Sequence, residues 1–165
     1  MTSSPAIDPR LYRNTIGCFV TGVTVITWDD GEMARGMTAN AVSSLSLDPM
    51  LLLVCVDKKA TAHPQMAKAG AFAVNILAED QIEVSKTFAR HGVDGMSGVP
   101  WSRRATGAPI IDGSLAWLDC EVQERLEGGD HTIYIGRVVA LDIARPDASP
   151  LLFFGGSYRC CGPKL

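Results

Sequence analysis

No long run of lysine or arginine occurs in the 165 residues, and the formal net charge is −3. Nucleic-acid binders gather basic side chains on one face to follow a phosphate backbone, so nucleic acid is not an expected partner. No stretch approaches the roughly 20 consecutive apolar residues of a spanning helix. Residues 1–9 also lack the charged and apolar regions of a signal peptide. These two absences point to a cytoplasmic protein without a membrane partner. The five cysteines, Cys18, Cys55, Cys120, Cys160 and Cys161, are odd in number and show no Cys-x-x-Cys spacing. Neither a disulfide framework nor a zinc knuckle is indicated, and most of them are expected to be reduced core residues. Also missing are His-x-x-x-His, clustered carboxylates, a Gly-x-Ser-x-Gly elbow and a Gly-x-Gly-x-x-Gly fingerprint. Metal chemistry, a serine hydrolase elbow and a Rossmann dinucleotide site are therefore not expected.

What is present is a chain that is 47% hydrophobic and 20% charged, long enough for a single domain spanning residues 1–165 with its own core. Its most informative stretch runs Gly-Met-Thr-Ala-Asn-Ala-Val-Ser-Ser-Leu-Ser-Leu-Asp-Pro, from Gly36 to Pro49. A strand built only to fill a core favours Val, Ile and aromatics. Here Thr38, Asn40, Ser43, Ser44 and Ser46 offer donors and acceptors beside the small Gly36, Ala39 and Ala41. Two readings are open: a wall for a planar ligand with polar edges, or a hydroxyl-rich edge hairpin facing water.

Asp8-Pro9 is an N-cap and first-turn signal, and apolar residues recur at helical spacing from Leu11 to Phe19, up to Gly22. Val23 to Trp28 reads as a strand, and Asp29-Asp30-Gly31 turns it into a hairpin with the hydroxyl-rich stretch. Leu51 to Val56 is a continuous apolar run that fits a central strand buried on both faces. Asp57-Lys58-Lys59-Ala60-Thr61 follows at a strand-to-helix junction, where two cations and a hydroxyl suit an anion or simply flank a helix cap. A helix over 61–68, a strand over 71–76 and a helix over 79–90 come next, with Phe88 expected in the core and Ser85 in solvent. Residues 92–109 read as a long loop, a lid or a flexible crossing. Strands then occupy about 114–125, 131–141 and 150–154. Many short strands interrupted by a few helices suggest a mainly β fold, a closed barrel with helical excursions.

Among the three histidines, His131 begins a strand directly after a Gly-Gly-Asp turn, a position from which a side chain reaches a cleft. It could hydrogen-bond a carboxamide, donate a proton or cap the turn through Asp130. Asp130 and His131 do not form a relay merely by adjacency. His63 and His91 sit at expected helix ends, where capping accounts for them.

Taken in order, the hydroxyl-rich stretch, Lys-Lys-Ala-Thr, Gly-Asp-His-Thr-Ile-Tyr-Ile-Gly-Arg-Val and Pro-Leu-Leu-Phe-Phe-Gly-Gly-Ser-Tyr-Arg resemble the flavin reductase-like family from Tyr12 to Arg159. Its members are the small reductase components of two-component flavin-dependent monooxygenases. The resemblance implies a Greek-key split β-barrel with inserted helices that binds FMN or FAD, uses NADH or NADPH, forms a homodimer and serves a partner monooxygenase. It places Met37, Thr38, Ala39 and Asn40 along the flavin ring. Ser43, Ser44 and the junction Asp57, Lys58, Lys59, Ala60 and Thr61 are placed on the ribityl chain and phosphate, and Ser85 and Phe88 approach from the helix. It puts His131, as the catalytic residue, beside the nicotinamide, with Tyr158 and Arg159 nearby. Ala60, Gly155 and Met50 depart from the residues frequent in the family, which bears on flavin affinity and on FMN against FAD. A non-catalytic FMN-binding or redox-sensing module is the alternative, and a pyridoxamine-phosphate-oxidase-type enzyme a weaker one for want of arginines near the flavin.

Overall fold

A computed structural model describes residues 7–93 and 95–163. The architecture follows from one connection. Strand β1 is Thr21–Gly22, β2 Thr24–Asp29, β3 Ala34–Ala39, β4 Val42–Leu47, β5 Met50–Asp57 and β6 Ala71–Ile76. Strand β7 is Trp101–Arg103, β8 Pro109–Ile111, β9 Ala116–Gly128, β10 His131–Asp142, β11 Leu152–Phe154 and β12 Ser157–Arg159. The main sheet has seven strands in the order β3-β2-β6-β9-β10-β5-β4, antiparallel throughout. Strands β3 and β4 therefore lie at opposite edges, although only Asn40 and Ala41 separate them in sequence. Three Cα-to-Cα steps span at most about 11 Å, so the sheet must curl until its edges approach. No β3–β4 ladder closes the curl, and the fold is a split barrel rather than the closed barrel that strand spacing alone suggests.

The inside of the curl is filled by Ile26, Trp28, Val54, Val56, Phe72 and Tyr134. Gly136 admits Phe72: a Cβ there would lie 2.5 Å from its ring. Register shifts between Ile135 and Gly136 and between Val138 and Ala140 mark bulges in the β9–β10 ribbon, which accounts for the irregular apolar pattern after Leu115. A second core lies outside the curl, where Val23, Val25, Leu77, Phe88, Ile111 and Leu151 meet. Strand β2 feeds both cores and is buried on both faces. The run at 51–56 is not the centre of the sheet. It belongs to β5, second from an edge, where Leu52, Val54 and Val56 are buried, while Leu51, Leu53 and Cys55 are half-buried on a second face that the described residues cover only in part.

Asn75 joins the two layers. Its amide nitrogen donates to the Val25 carbonyl at 3.0 Å and to Thr27 Oγ1 at 2.9 Å, while its oxygen accepts from the Ile111 N–H at 2.8 Å. That last bond docks the small β7–β8 sheet on the barrel. Within 95–109, part of the segment expected as a loop or lid, the chain is instead anchored: Met96 is buried, Val99 and Trp101 pack on the outer core, and β7 forms there. The β2–β3 turn is fixed by Asp30, whose carboxyl is held at about 2 by the Met33 N–H first and then by Arg35. Because the folded value lies below the ordinary one, this stabilisation is present at neutral pH and fades as the pH falls through about 2.

Helix α1, Pro9–Ile16, has Asp8 as its cap, accepting from the Arg10 N–H at 3.0 Å. It ends at Ile16 rather than near Gly22, because Cys18 and Phe19 turn tightly back onto Thr15 and Ile16. None of its residues is buried, and Leu11, Tyr12, Ile16 and Phe19 are exposed. Helices α2, Ala62–Met66, and α3, Ile82–Phe88, are shorter than expected, α3 being preceded by a 3₁₀ turn over Glu79–Gln81. The cysteine reading also needs correction: Cys120 is buried, Cys55 half-buried, and Cys18, Cys160 and Cys161 exposed, all free thiols. No described helix is long and apolar enough to cross a membrane.

Replacing Asn75 with Ala strands the buried Ile111 N–H and two other partners. Urea unfolding should show a loss of about 3 kcal/mol at unchanged m, on the scale of 1–3 kcal/mol per buried group left unpaired.

Candidate functional site

The curl brings the end of β3 and the Asn40-Ala41 link against the end of β5, where the Cys55 N–H donates to the Ala41 carbonyl at 3.0 Å. A cleft of about 260 Å³ opens at this seam. Its first wall is Met37, Thr38, Ala39 and Asn40, its second Cys55, Asp57, Ala60 and Thr61, and its third Phe88 and Arg90, with His131 at the rim. An adjoining recess of about 300 Å³ shares Met37, Thr61, Phe88 and Arg90 and adds Arg35 and Gln65.

The wall from β3 is suited to a flat ligand. As an edge strand it pairs only with β2, so half of its main-chain N–H and C=O groups are unused by the sheet. Small side chains at Ala39, Ala41, Ala60 and Ala62 let a ring approach. Gly36, expected to leave room for a ligand, gives its space to Phe88, whose ring would meet a Cβ there at 2.8 Å. The glycine therefore seats the third wall.

Ser85 does not face solvent. It is fully buried, its carbonyl accepts from Thr38 Oγ1 at 2.6 Å, and its hydroxyl lies 2.9 Å from the Tyr158 hydroxyl. Tyr158 in turn meets Phe153 edge-on, ring centroids 5.6 Å apart. The C-terminal strand β12 thus holds α3, and α3 holds Thr38. Burial follows because α3 packs its Ser85 face onto β3, which helix spacing of Ile82, Ser85 and Phe88 alone did not decide.

At the rim, Asp130 Oδ1 lies 2.8 Å from His131 Nδ1. The Asp130 carboxyl is held below its ordinary range by the His131 hydrogen bond first and then by the imidazole charge. An ionised carboxylate only accepts, so Nδ1–H donates and Nε2 is the nitrogen left for a ligand. His63, read as a capping residue, places Nε2 2.9 Å from Thr132 Oγ1. At the junction, Lys59 N–H donates to Asp57 Oδ1 at 2.8 Å, a tight turn that carries Ala60 and Thr61 into the cleft. Burial raises the Cys55 thiol, which therefore stays protonated beside the second wall.

Nine of the residues singled out from sequence meet in the cleft: Met37, Thr38, Ala39, Asn40, Asp57, Ala60, Thr61, Phe88 and His131. The others do not line it. Ser43 and Ser44 border an apolar groove along β4 instead of the cleft. Ser85 and Tyr158 stand behind the wall. Lys58 and Lys59 lie outside it, and Arg159 is exposed on β12. Arg90 and His91 were missed; both were read as the end of a helix, and the turn after α3 brings them inward.

Residues 16–162 match the family model described as flavin reductase like domain. Over 161 residues the chain is 38% identical to the flavin-dependent monooxygenase reductase subunit HsaB of Rhodococcus jostii, covering 98% of this chain and 82% of that protein. It is 45% identical over 141 residues to a Rhizobium meliloti protein named "Probable flavin reductase", covering 85% of this chain but spanning only 45% of that protein's length. Among solved structures, the Streptomyces globisporus NADH:FAD oxidoreductase SgcE6, in complex with NAD and FAD fragments, superposes with a TM-score of 0.88 at 40% identity, covering 97% of this chain and 98% of that one.

Ser85→Ala and Tyr158→Phe each delete the same hydrogen bond. Each should cost about 1 kcal/mol in urea unfolding, and the double variant no more than either single one; additive losses would show that the two hydroxyls act separately.

Proposed function

The chain belongs to the flavin reductase-like family, and on that footing we propose that it reduces FMN or FAD with NADH or NADPH and passes the reduced flavin to a partner monooxygenase. The observation that carries the reading is the meeting of Met37–Asn40, Asp57, Ala60, Thr61 and His131 at one cleft although they are far apart in sequence. The bound flavin supplies the electron-accepting ring; the protein supplies the geometry.

The donor set fits such a group. Free main-chain groups of β3 suit the polar edge of the ring, with Ala39 and Ala60 leaving room for its plane. Asp57 to Thr61 form a turn suited to the ribityl chain. Arg90, whose side chain makes no hydrogen bond or ion pair among the described residues, can offset an anionic tail. Phe88, seated on Gly36, closes the far wall and keeps water from the ring.

His131 holds its free Nε2 toward the cleft because Asp130 takes Nδ1–H. In that state it orients the nicotinamide carboxamide or holds a proton close to the reacting pair, and fixing two reactants at near-attack distance is the main device on offer. Tyr158 acts at one remove, through Ser85 and Thr38. Arg159, exposed on β12, contacts the nicotinamide's outer part.

The chain as one domain pairs with a second copy in the cytoplasm. The exposed apolar residues Leu11, Tyr12, Ile16, Phe19 and Leu47 and the half-covered outer face of β5 support the homodimer. The free thiols of the described cysteines support a reducing compartment.

Purified protein with added FMN or FAD should oxidise NADH or NADPH. Tightly bound flavin without turnover would favour the non-catalytic module. His131→Ala should slow single-turnover flavin reduction about 10²-fold while changing flavin affinity far less; an unchanged rate removes His131 from the chemistry. Sedimentation velocity should give twice the chain mass, and a monomer at micromolar concentration would refute the dimer.

A further inference from the structure

Lys58 stands where a cation for the flavin's phosphate is expected, yet its side chain does not line the cleft. Its N–H donates to the Asp130 carbonyl at 3.0 Å. Its Nζ donates to the Gly129 carbonyl at 2.8 Å and pairs with the Glu127 carboxylate, which it draws below the ordinary carboxylate range. These three contacts grip Glu127, Gly129 and Asp130 in the turn that leads into His131. Gly129 adopts φ +70°, a left-handed conformation that favours glycine, so the turn has one shape to be held in.

On the other side, His63 of α2 meets Thr132, the residue after His131. Thr132 is buried, so this contact fixes the strand from inside the barrel. His131 is thus bracketed by Lys58 outside and His63 inside, and both brackets come from the one segment that follows β5. The exposed Lys58–Glu127 pair contributes little by itself. Its two companion bonds to main-chain carbonyls locate the turn, and a small misplacement of a reacting group is costly.

We propose that Lys58 is a positioning residue for His131, clamping the β9–β10 turn, rather than a ligand of the flavin phosphate. The inference rests on the flavin reductase reading above, and it names the residue through which the end of β5 sets the angle of the imidazole. A cation that serves the phosphate must come from elsewhere in the cleft wall, where Arg90 stands.

Lys58→Met removes the ammonium and keeps the stem. Single-turnover flavin reduction should slow about tenfold, with the ratio of KM values for FMN and riboflavin unchanged, and Lys58→Arg should recover most of the rate. In the His131→Ala background, Lys58→Met should have no further effect on the rate, because its action passes through the imidazole. A rise in KM for FMN but not riboflavin assigns Lys58 to the phosphate and overturns the proposal. An equal loss in the His131→Ala background also overturns it, as damage unrelated to His131. Imidazole NMR gives a readout independent of turnover: Lys58→Met should shift the His131 signals and leave those of His91 in place. Unmoved His131 signals refute the clamp even if the wild type is active. An inactive wild type with shifted His131 signals refutes the flavin reductase reading and leaves the clamp standing.

Discussion

Asn40 and Ala41 are the constraint on which the structure depends. They join the two outermost strands of a seven-stranded sheet, and so short a link can reach only if the sheet rolls up. Rolling creates an interior, which Trp28, Phe72 and Tyr134 fill, and it demands room for bulk where the wall bends, which Gly136 provides. The same link is the seam of the cleft. Its carbonyl at Ala41 takes the Cys55 N–H, which extends the β4–β5 pairing to the point where the candidate ligand wall begins.

Polar side chains divide into two groups around that seam. Ser85, Tyr158, Lys58 and His63 spend their hydrogen bonds on other parts of the protein and fix walls, turns and strand ends. His131 and Arg90 keep a nitrogen or a guanidinium uncommitted beside the cleft. Such a division is expected where geometry must be held to fractions of an ångström while the groups that meet a ligand remain available.

Much of this was legible beforehand. The strand at 71–76, the turn at Gly128-Gly129-Asp130 and the α1 cap at Asp8 followed from local chemistry, since β-branched runs, glycine turns and Asp-Pro caps act over a few residues. The hydroxyl-rich stretch stands out in the sequence because its small residues are out of place in a core, and part of it lines a cleft. What local pattern could not give was which face of an element meets which neighbour. Ser85 was taken for solvent because helix α3 gives no sign, within its seven residues, that β3 will lie against it. Sequence leaves Lys58 open between an anion contact and a flank of the helix cap, because its partners, Glu127 and Gly129, are some 70 positions away. Full apolarity at 51–56 does not tell a central strand from one second from an edge, because an apolar run carries no mark of which strands pair beside it.

The seam also bears on how the molecule comes together and what a bound ligand can stabilise. The two edges adjoin in sequence from the start, but the sequence-distant walls of the cleft come together only when the five strands between the edges are in register, so the cleft belongs with the long-range contacts that close the largest loops. A ligand seated there holds the two ends of the sheet at once, and its binding free energy therefore adds to the stability of the whole barrel through mass action. In the fully folded chain the site behaves as a keystone: set last, and under load from both sides.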